Sequence, residues 1–377
     1  MSRNVFAKRL TALAVGSAAL LAAGLAFGAD KVVHVYNWSD YIDPAVLEDF
    51  TKETGIKVVY DVYDANEVLE TKLLAGKTGY DVVVPGGVFL SRQIKAGVHT
   101  KLDKSKLPNL KNMWPEVMNR LATAYDPGNE HAVNYMWGTT GIGYNAKKIA
   151  AIMPDAPIGS WKMLFDPAIA AKFKDCGIMM LDSDEDVIPI ALNYLGLEPN
   201  TKNADDFKKA ADLLKKIRPF VRKFHSSEYI NALANGDICM ALGWSGDFSV
   251  AASRAAEKNK TIKDESQQIE IKYFIPKEGT EMWFDSMAIP ADAPDKEEAY
   301  KFVDFMMRPD VIAKCSKAVG YANGNLAAQK VMDKELLEDN TVYPDKATMG
   351  RLFAPLPLTA KLQRARTDAW RMVKTGG

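Results

Sequence analysis

The chain has 377 residues, enough for two domains of ordinary size. Its 48 basic and 48 acidic residues cancel, which removes the electrostatic case for a nucleic acid or an anionic membrane surface as partner. A composition 47% hydrophobic and 25% charged excludes the disordered and fibrous classes.

At the N-terminus Arg3, Lys8 and Arg9 precede an apolar run from Leu10 to Phe27, followed by Gly28-Ala29. That order of basic, apolar and small residues predicts a signal peptide over residues 1–29. No cysteine stands at the expected cleavage site, so a lipid anchor is not expected. No later run approaches the ~20 apolar residues of a spanning helix, and an exported, soluble product follows.

From residue 30 strand and helix patterns alternate. Val32–Tyr36 reads as a strand, Pro44–Glu53 as a helix, Ile56–Tyr60 as a strand, Asn66–Ala75 as a helix and Asp81–Val84 as a buried strand closed by Pro85-Gly86-Gly87. A helix over Phe89–Ala96 comes next. This alternation predicts a mostly parallel sheet flanked by helices, with ligands beyond the C-terminal strand ends. The glycine-rich segment Trp137–Asn145 reads as an extended crossover into a second lobe. There, strands are expected at Gly177–Leu181, Ile238–Leu242, Ile269–Ile275 and Ser286–Ile289. Helices are expected at Val187–Leu195, Ala204–Ile217, Phe224–Asn235 and Phe248–Lys258, with a loop at Gly243–Asp247. Helices at Lys296–Met307, Asp310–Ala318 and Lys361–Thr375 complete the chain. Of the three cysteines, Cys176 and Cys239 both open apolar runs resembling neighbouring strands, so these two are expected to pair, leaving Cys315 a buried thiol.

Several enzyme signatures are incomplete. Gly141-Ile142-Gly143-Tyr144-Asn145-Ala146 fits a dinucleotide fingerprint, but Pro154, Pro157 and Gly159 break the unit it requires. Gly243-Trp244-Ser245-Gly246-Asp247 lacks the closing glycine of a nucleophile elbow. The four histidines are too scattered to suggest a metal site by spacing. Neither catalysis nor a cofactor is expected.

What recurs is tryptophan followed by acid: Trp38 with Asp40, Trp244 with Asp247, Trp283 with Asp285, each where an apolar run starts or stops. Trp38-Ser39-Asp40-Tyr41 offers an indole, a hydroxyl, a carboxylate and a phenol at one strand end. A carboxylate pairs with an ammonium by charge-assisted hydrogen bonds, and aromatic faces attract the same charge while covering the adjoining methylenes. Such sites in both halves of the chain suit a linear di- or polyammonium ligand gripped between lobes. A further acidic group, Asp184–Asp186, precedes a helix, where capping accounts for at least one of the three. A carboxylate-bearing ligand would need an arginine. None lies in these clusters, and Arg222 and Arg254 read as helix-surface charges.

At these residues the sequence resembles the periplasmic polyamine-binding proteins (putrescine and spermidine) of ATP-driven ABC importers. The likeness covers essentially the whole mature chain, through Tyr36–Tyr41, Asp81–Pro85, Gly141–Asn145, Asn193–Gly196, Phe224–Ser227, Gly236–Cys239, Gly243–Asp247, Ile275–Gly279 and Tyr321–Asn325. It implies a two-lobed α/β fold with extended hinge crossovers. Lobe 1 would comprise 30–137 plus 282–320, and lobe 2 138–281 plus 321–377. Carried over residue by residue, the ligand set is Trp38, Ser39, Asp40 and Tyr41, then Asp186, Ser226, Trp244 and Asp247, then Trp283, Asp285 and Tyr321. Asp285 would meet an amine directly, and Asp186 stands where the family often has glutamate. Gly86 replaces a usual serine, and tryptophan at 283 offers more surface to a longer cation such as spermidine. The partners implied are a polyamine and a membrane ABC permease, with a monomer in the periplasm. The alternatives are a receptor for another cationic amine and a polyamine sensor.

Overall fold

The computed structural model describes residues 31–375, so the expected signal peptide lies outside the described residues. Eleven strands are named here in chain order: β1 Val32–Trp38, β2 Lys57–Tyr63, β3 Val82–Val83, β4 Ala132–Asn145, β5 Ile178–Met180, β6 Val221–Phe224, β7 Met240–Trp244, β8 Ile271–Phe274, β9 Thr280–Ala288, β10 Ala322–Asn323 and β11 Leu352–Phe353.

The β-branched run of β1 pairs in parallel with β2 on one side and β3 on the other. Helices cross between them, as parallel pairing demands. The helix Pro44–Thr54 shows why the local sequence folds so. Asp43 accepts from the amide of Ala45 at 2.9 Å, proline takes the first position, and Gly55 (φ 70°) stops the helix in the left-handed region.

The element that joins the molecule is β4. All 14 of its residues are buried. Its first half pairs antiparallel with β9, from Ala132↔Ala288 to Thr139↔Met282, and its second half pairs with β7 and β8. Strand order is therefore β2-β1-β3-β9-β4-β7-β5-β6, with β8 and β10 also on β4 and β11 on β9. One core gathers Phe50, Leu90, Met136, Phe302 and Cys315; another gathers Trp161, Phe207, Leu242 and Trp370. A small third cluster joins Val88, Trp137, Phe284 and Val342. Cys176 and Cys239 form the expected disulfide, with Cα atoms 5.5 Å apart, and Cys315 is a buried free thiol.

Four differences from the sequence expectation matter. The crossover strand starts at Ala132, because β9 supplies a long antiparallel partner. The helix expected from Val187 begins at Asp184, capped by Ser183, so the acidic trio forms its first turn. Gly243–Asp247 is no loop: β7 runs to Trp244 and the helix Ser245–Asn259 starts at the next residue. The segment 321–377 does not pack as one piece. Tyr321 and Ala328 join the first core and Val342 the third cluster, since β10 pairs with Met136–Trp137, whereas Ala369, Trp370 and Val373 join the second core.

Candidate functional site

The ends of β1 and β7, the first turns of the helices Asp184–Tyr194 and Ser245–Asn259, and one face of β9 converge on a cavity between the two main cores. It holds about 700 Å³ of empty space, part of it open to solvent. Trp38, Ser39, Tyr41, Asp186, Ser226, Trp244, Asp247, Trp283, Asp285 and Tyr321 all line it. Asp40 does not. Its backbone sits at φ 55°, a left-handed turn that aspartate tolerates, and its carboxylate turns out to meet Arg254 at 2.7 Å. The side chains of this pair are 37% and 40% exposed. Arg254, read from sequence as a bare surface charge, thus ties the helix Ser245–Asn259 to the turn after β1.

Of the aspartates expected from sequence, the three that line the cavity are held by neutral donors. Asp247 accepts from the Tyr321 hydroxyl at 2.6 Å and from the Tyr229 hydroxyl. Asp285 accepts from the Tyr41 hydroxyl at 2.9 Å. Asp186 accepts from the Trp244 indole N–H at 2.8 Å and from the Thr140 hydroxyl at 3.4 Å. Burial drives all three upward: Asp247 to about 6, Asp285 to about 8, and Asp186 above its usual range, with the phenol, indole and hydroxyl donors pulling the other way. Among the described residues no ammonium or guanidinium bonds any of them.

The walls are rings. Trp38 and Trp244 meet edge-on, centroids 5.6 Å apart, and Tyr321 contacts Trp283 at 5.2 Å and Tyr41 at 5.1 Å. Trp38 is fixed by an indole N–H donated to the Val84 carbonyl at 2.9 Å, and Tyr41 by the Tyr135 hydroxyl on its carbonyl at 2.6 Å. Trp283 can approach β4 closely because Gly138 has no Cβ; one there would stand 2.7 Å from Cζ2. The Trp283 indole N–H is buried without an acceptor. Ser39 donates to the Tyr63 carbonyl at 3.2 Å, while Ser226 accepts from the Asp182 amide at 3.3 Å. At Gly86 a Cβ would come within 3.4 Å of Asp285 Oδ1, so glycine leaves that side of the carboxylate without a hydroxyl.

Sequence reasoning missed Tyr229 and Glu281, and set Glu185 aside in favour of Asp186 although both line the cavity. Tyr229 lies 18 residues before Asp247 with no pattern linking them. Glu281 was findable: Glu281, Trp283 and Asp285 alternate along one strand and so share a face. His34, Asp81 and Asp295 also bring ligand atoms within 4.8 Å of one another. The Asp81 oxygens there already accept backbone amides from His34 at 2.8 Å and Asp295 at 2.7 Å, which is a structural role.

Two α/β cores, joined by long crossing strands around a polar, aromatic-walled cleft, define a two-lobed solute-binding protein. The chain belongs to the bacterial extracellular solute-binding protein family, whose profile matches residues 45–343. It is 52% identical over 374 residues to the putrescine-binding periplasmic protein SpuD of Pseudomonas aeruginosa, covering 98% of this chain and 99% of SpuD. It is 48% identical to the putrescine-binding periplasmic protein PotF of Escherichia coli, over 98% of each chain. Among solved structures, the spermidine/putrescine ABC transporter substrate-binding protein PotD of Streptococcus pneumoniae superposes with a TM-score of 0.73 at 31% identity, over 92% of this chain and 99% of that one. These relatives are binding proteins, and among the described residues no helix is long and apolar enough to cross a membrane.

Proposed function

We propose that this protein captures a linear polyamine, putrescine or spermidine, in the cleft between its two cores and delivers it to a membrane ABC permease. The observation that carries this reading is the set of buried carboxyls at 186, 247 and 285, held only by neutral donors and walled by indoles and phenols. Unpaired buried charge is costly, so such a set is built for a cation brought from outside. The rings add attraction and cover the carbon chain, at roughly 0.5–2 kcal/mol per well-placed ring.

In this account Trp38, Ser39, Tyr41, Trp244, Trp283 and Tyr321 frame the chain, Asp247 and Asp285 pair with its nitrogens, and Asp186 and Ser226 complete the set. Asp40 acts at the mouth through Arg254. The first core with the segment around Tyr321–Val342, and the second core with the C-terminal helix, move as two lobes about β4 and β9. The chain works in the periplasm as a monomer after losing residues 1–29, and it carries out no catalysis. SpuD and PotF support this reading at half-identity over nearly full length. Calorimetric titration of the mature protein with putrescine and spermidine tests it. Saturable 1:1 binding of at least one amine is expected, and no heat from either would overturn the proposal.

A further inference from the structure

The cavity continues beyond Asp285 to a second acidic end. Glu281 lies on the cavity face of β9 with Trp283 and Asp285, its Cα roughly 13 Å from that of Asp285 at ~3.3 Å per residue. It is only 2% exposed, it lines the cavity, and its Oε2 has no hydrogen-bond partner. Glu185, 8% exposed, lines the same end from the first turn of its helix, and its Oε2 is likewise without a hydrogen bond. Arg366 Nη2 stands 3.7 Å from that oxygen, an ion pair without a hydrogen bond, so of the two glutamates Glu281 is the one with no cationic partner among the described residues. Arg366 is already committed, donating to Asp184 at 3.2 Å and to Gln363 at 3.1 Å. Asp247 and Asp285 are linked through the contacting rings of Tyr321 and Tyr41, which bond one each, whereas Glu281 lies four residues along β9 from Asp285.

A purely structural buried glutamate would be protonated and would donate its hydroxyl to a protein acceptor, or would pair with a basic side chain. Glu281 does neither. An extended four-carbon diamine spans about 6 Å between nitrogens, and a triamine of the spermidine type about 11 Å, from ordinary single-bond lengths. A diamine seated at Asp247 and Asp285 leaves Glu281 unmet; the longer chain reaches it.

We propose that Glu281, with Glu185, forms a third cation position at the end of the cleft remote from Asp247, making the cleft a receptor for a linear triammonium chain. This rests on the polyamine reading above and adds the residue that selects for a third nitrogen. Asp285 and Asp186 then flank the inner nitrogen, and Glu281 takes the far terminal one.

The test is calorimetric titration of the mature wild-type protein and of Glu281→Gln with putrescine and spermidine. The expected result is a loss of spermidine affinity at least tenfold greater than the loss of putrescine affinity. Equal losses for the two amines, or a wild type that binds putrescine but not spermidine, would overturn the third position while leaving the polyamine reading intact. A wild type that binds neither amine would overturn both. Should Glu281→Gln fail to fold, 1,8-diaminooctane on the wild type decides the matter, because it has the end-to-end length of spermidine with only terminal nitrogens. Binding tighter than that of putrescine supports the far position, and weaker binding overturns it.

Discussion

Asp285→Asn separates charge from shape in this cleft. The amide oxygen can still accept from Tyr41, which now donates to Asp285 at 2.9 Å, so the cavity keeps its walls while the charge is lost. An ammonium deprived of a desolvated, ionised partner loses about 2–5 kcal/mol of binding free energy, roughly 30- to 5,000-fold in affinity. The size of the loss depends on pH. With its carboxyl pushed up to about 8 by burial, empty wild-type protein at pH 7 holds a proton there that binding must expel. Expelling it across one pH unit costs about 1.4 kcal/mol, a cost that asparagine does not carry. At pH 9 the carboxylate is already ionised, and amines of pKa near ~10.4 remain mostly protonated. The affinity ratio of wild type to Asp285→Asn for putrescine should therefore be roughly tenfold larger at pH 9 than at pH 7. Titration calorimetry at the two pH values measures it. A ratio below ten at pH 9, or the same ratio at both, would refute the reasoning.

Other consequences concern the remaining parts of the site and the fold. Asp247→Asn should weaken putrescine binding more than Trp38→Ala, since a lost charge partner costs about 2–5 kcal/mol and a lost ring roughly 0.5–2 kcal/mol; the reverse order would mean that the walls dominate. Arg254→Ala removes a half-exposed bridge to Asp40 worth about 0–1 kcal/mol, so stopped-flow release should quicken by less than tenfold, and 1 M salt should bring the wild type to the same rate. The acids at 247, 285 and 185, pushed to about 6, 8 and 8, hold protons more tightly folded than unfolded, where carboxyls titrate near ~4. The stability they contribute is full below that unfolded value and lost as pH climbs to 8. The unliganded protein should accordingly melt at a lower temperature at pH 8 than at pH 5.5; a higher one would contradict the assignment.

Much of the architecture was legible because its signals are local. The helix Asn66–Ala75 and the helix Ala204–Ile217 end at the residues their patterns suggest. The disulfide followed from two apolar runs that lie as parallel neighbours, β5 and β7. What escaped depends on partners distant in sequence. The strand β6 went unassigned, only its last residue Phe224 being read as a helix start, because Val221–Phe224 is short and becomes a strand by pairing with β5. Asp40 follows the same indole as its neighbours, but the turn at φ 55° sends it to Arg254, 214 residues away. Tyr229, which holds Asp247, carries no periodic mark. Glu281 escaped for a different reason: attention to acids following tryptophan passed over the acid two positions before one, although the period of a strand puts both on one face.

The central claim is that burial keeps Asp285 in the cleft uncharged at neutral pH until a polycation arrives. Calorimetry of putrescine and spermidine binding at pH 7, repeated in buffers of different ionisation enthalpy, counts the protons exchanged. With Asp285 pushed up to about 8, the protein should release protons on binding, approaching one from Asp285 alone. Binding with no release of protons, or with uptake, would contradict the claim.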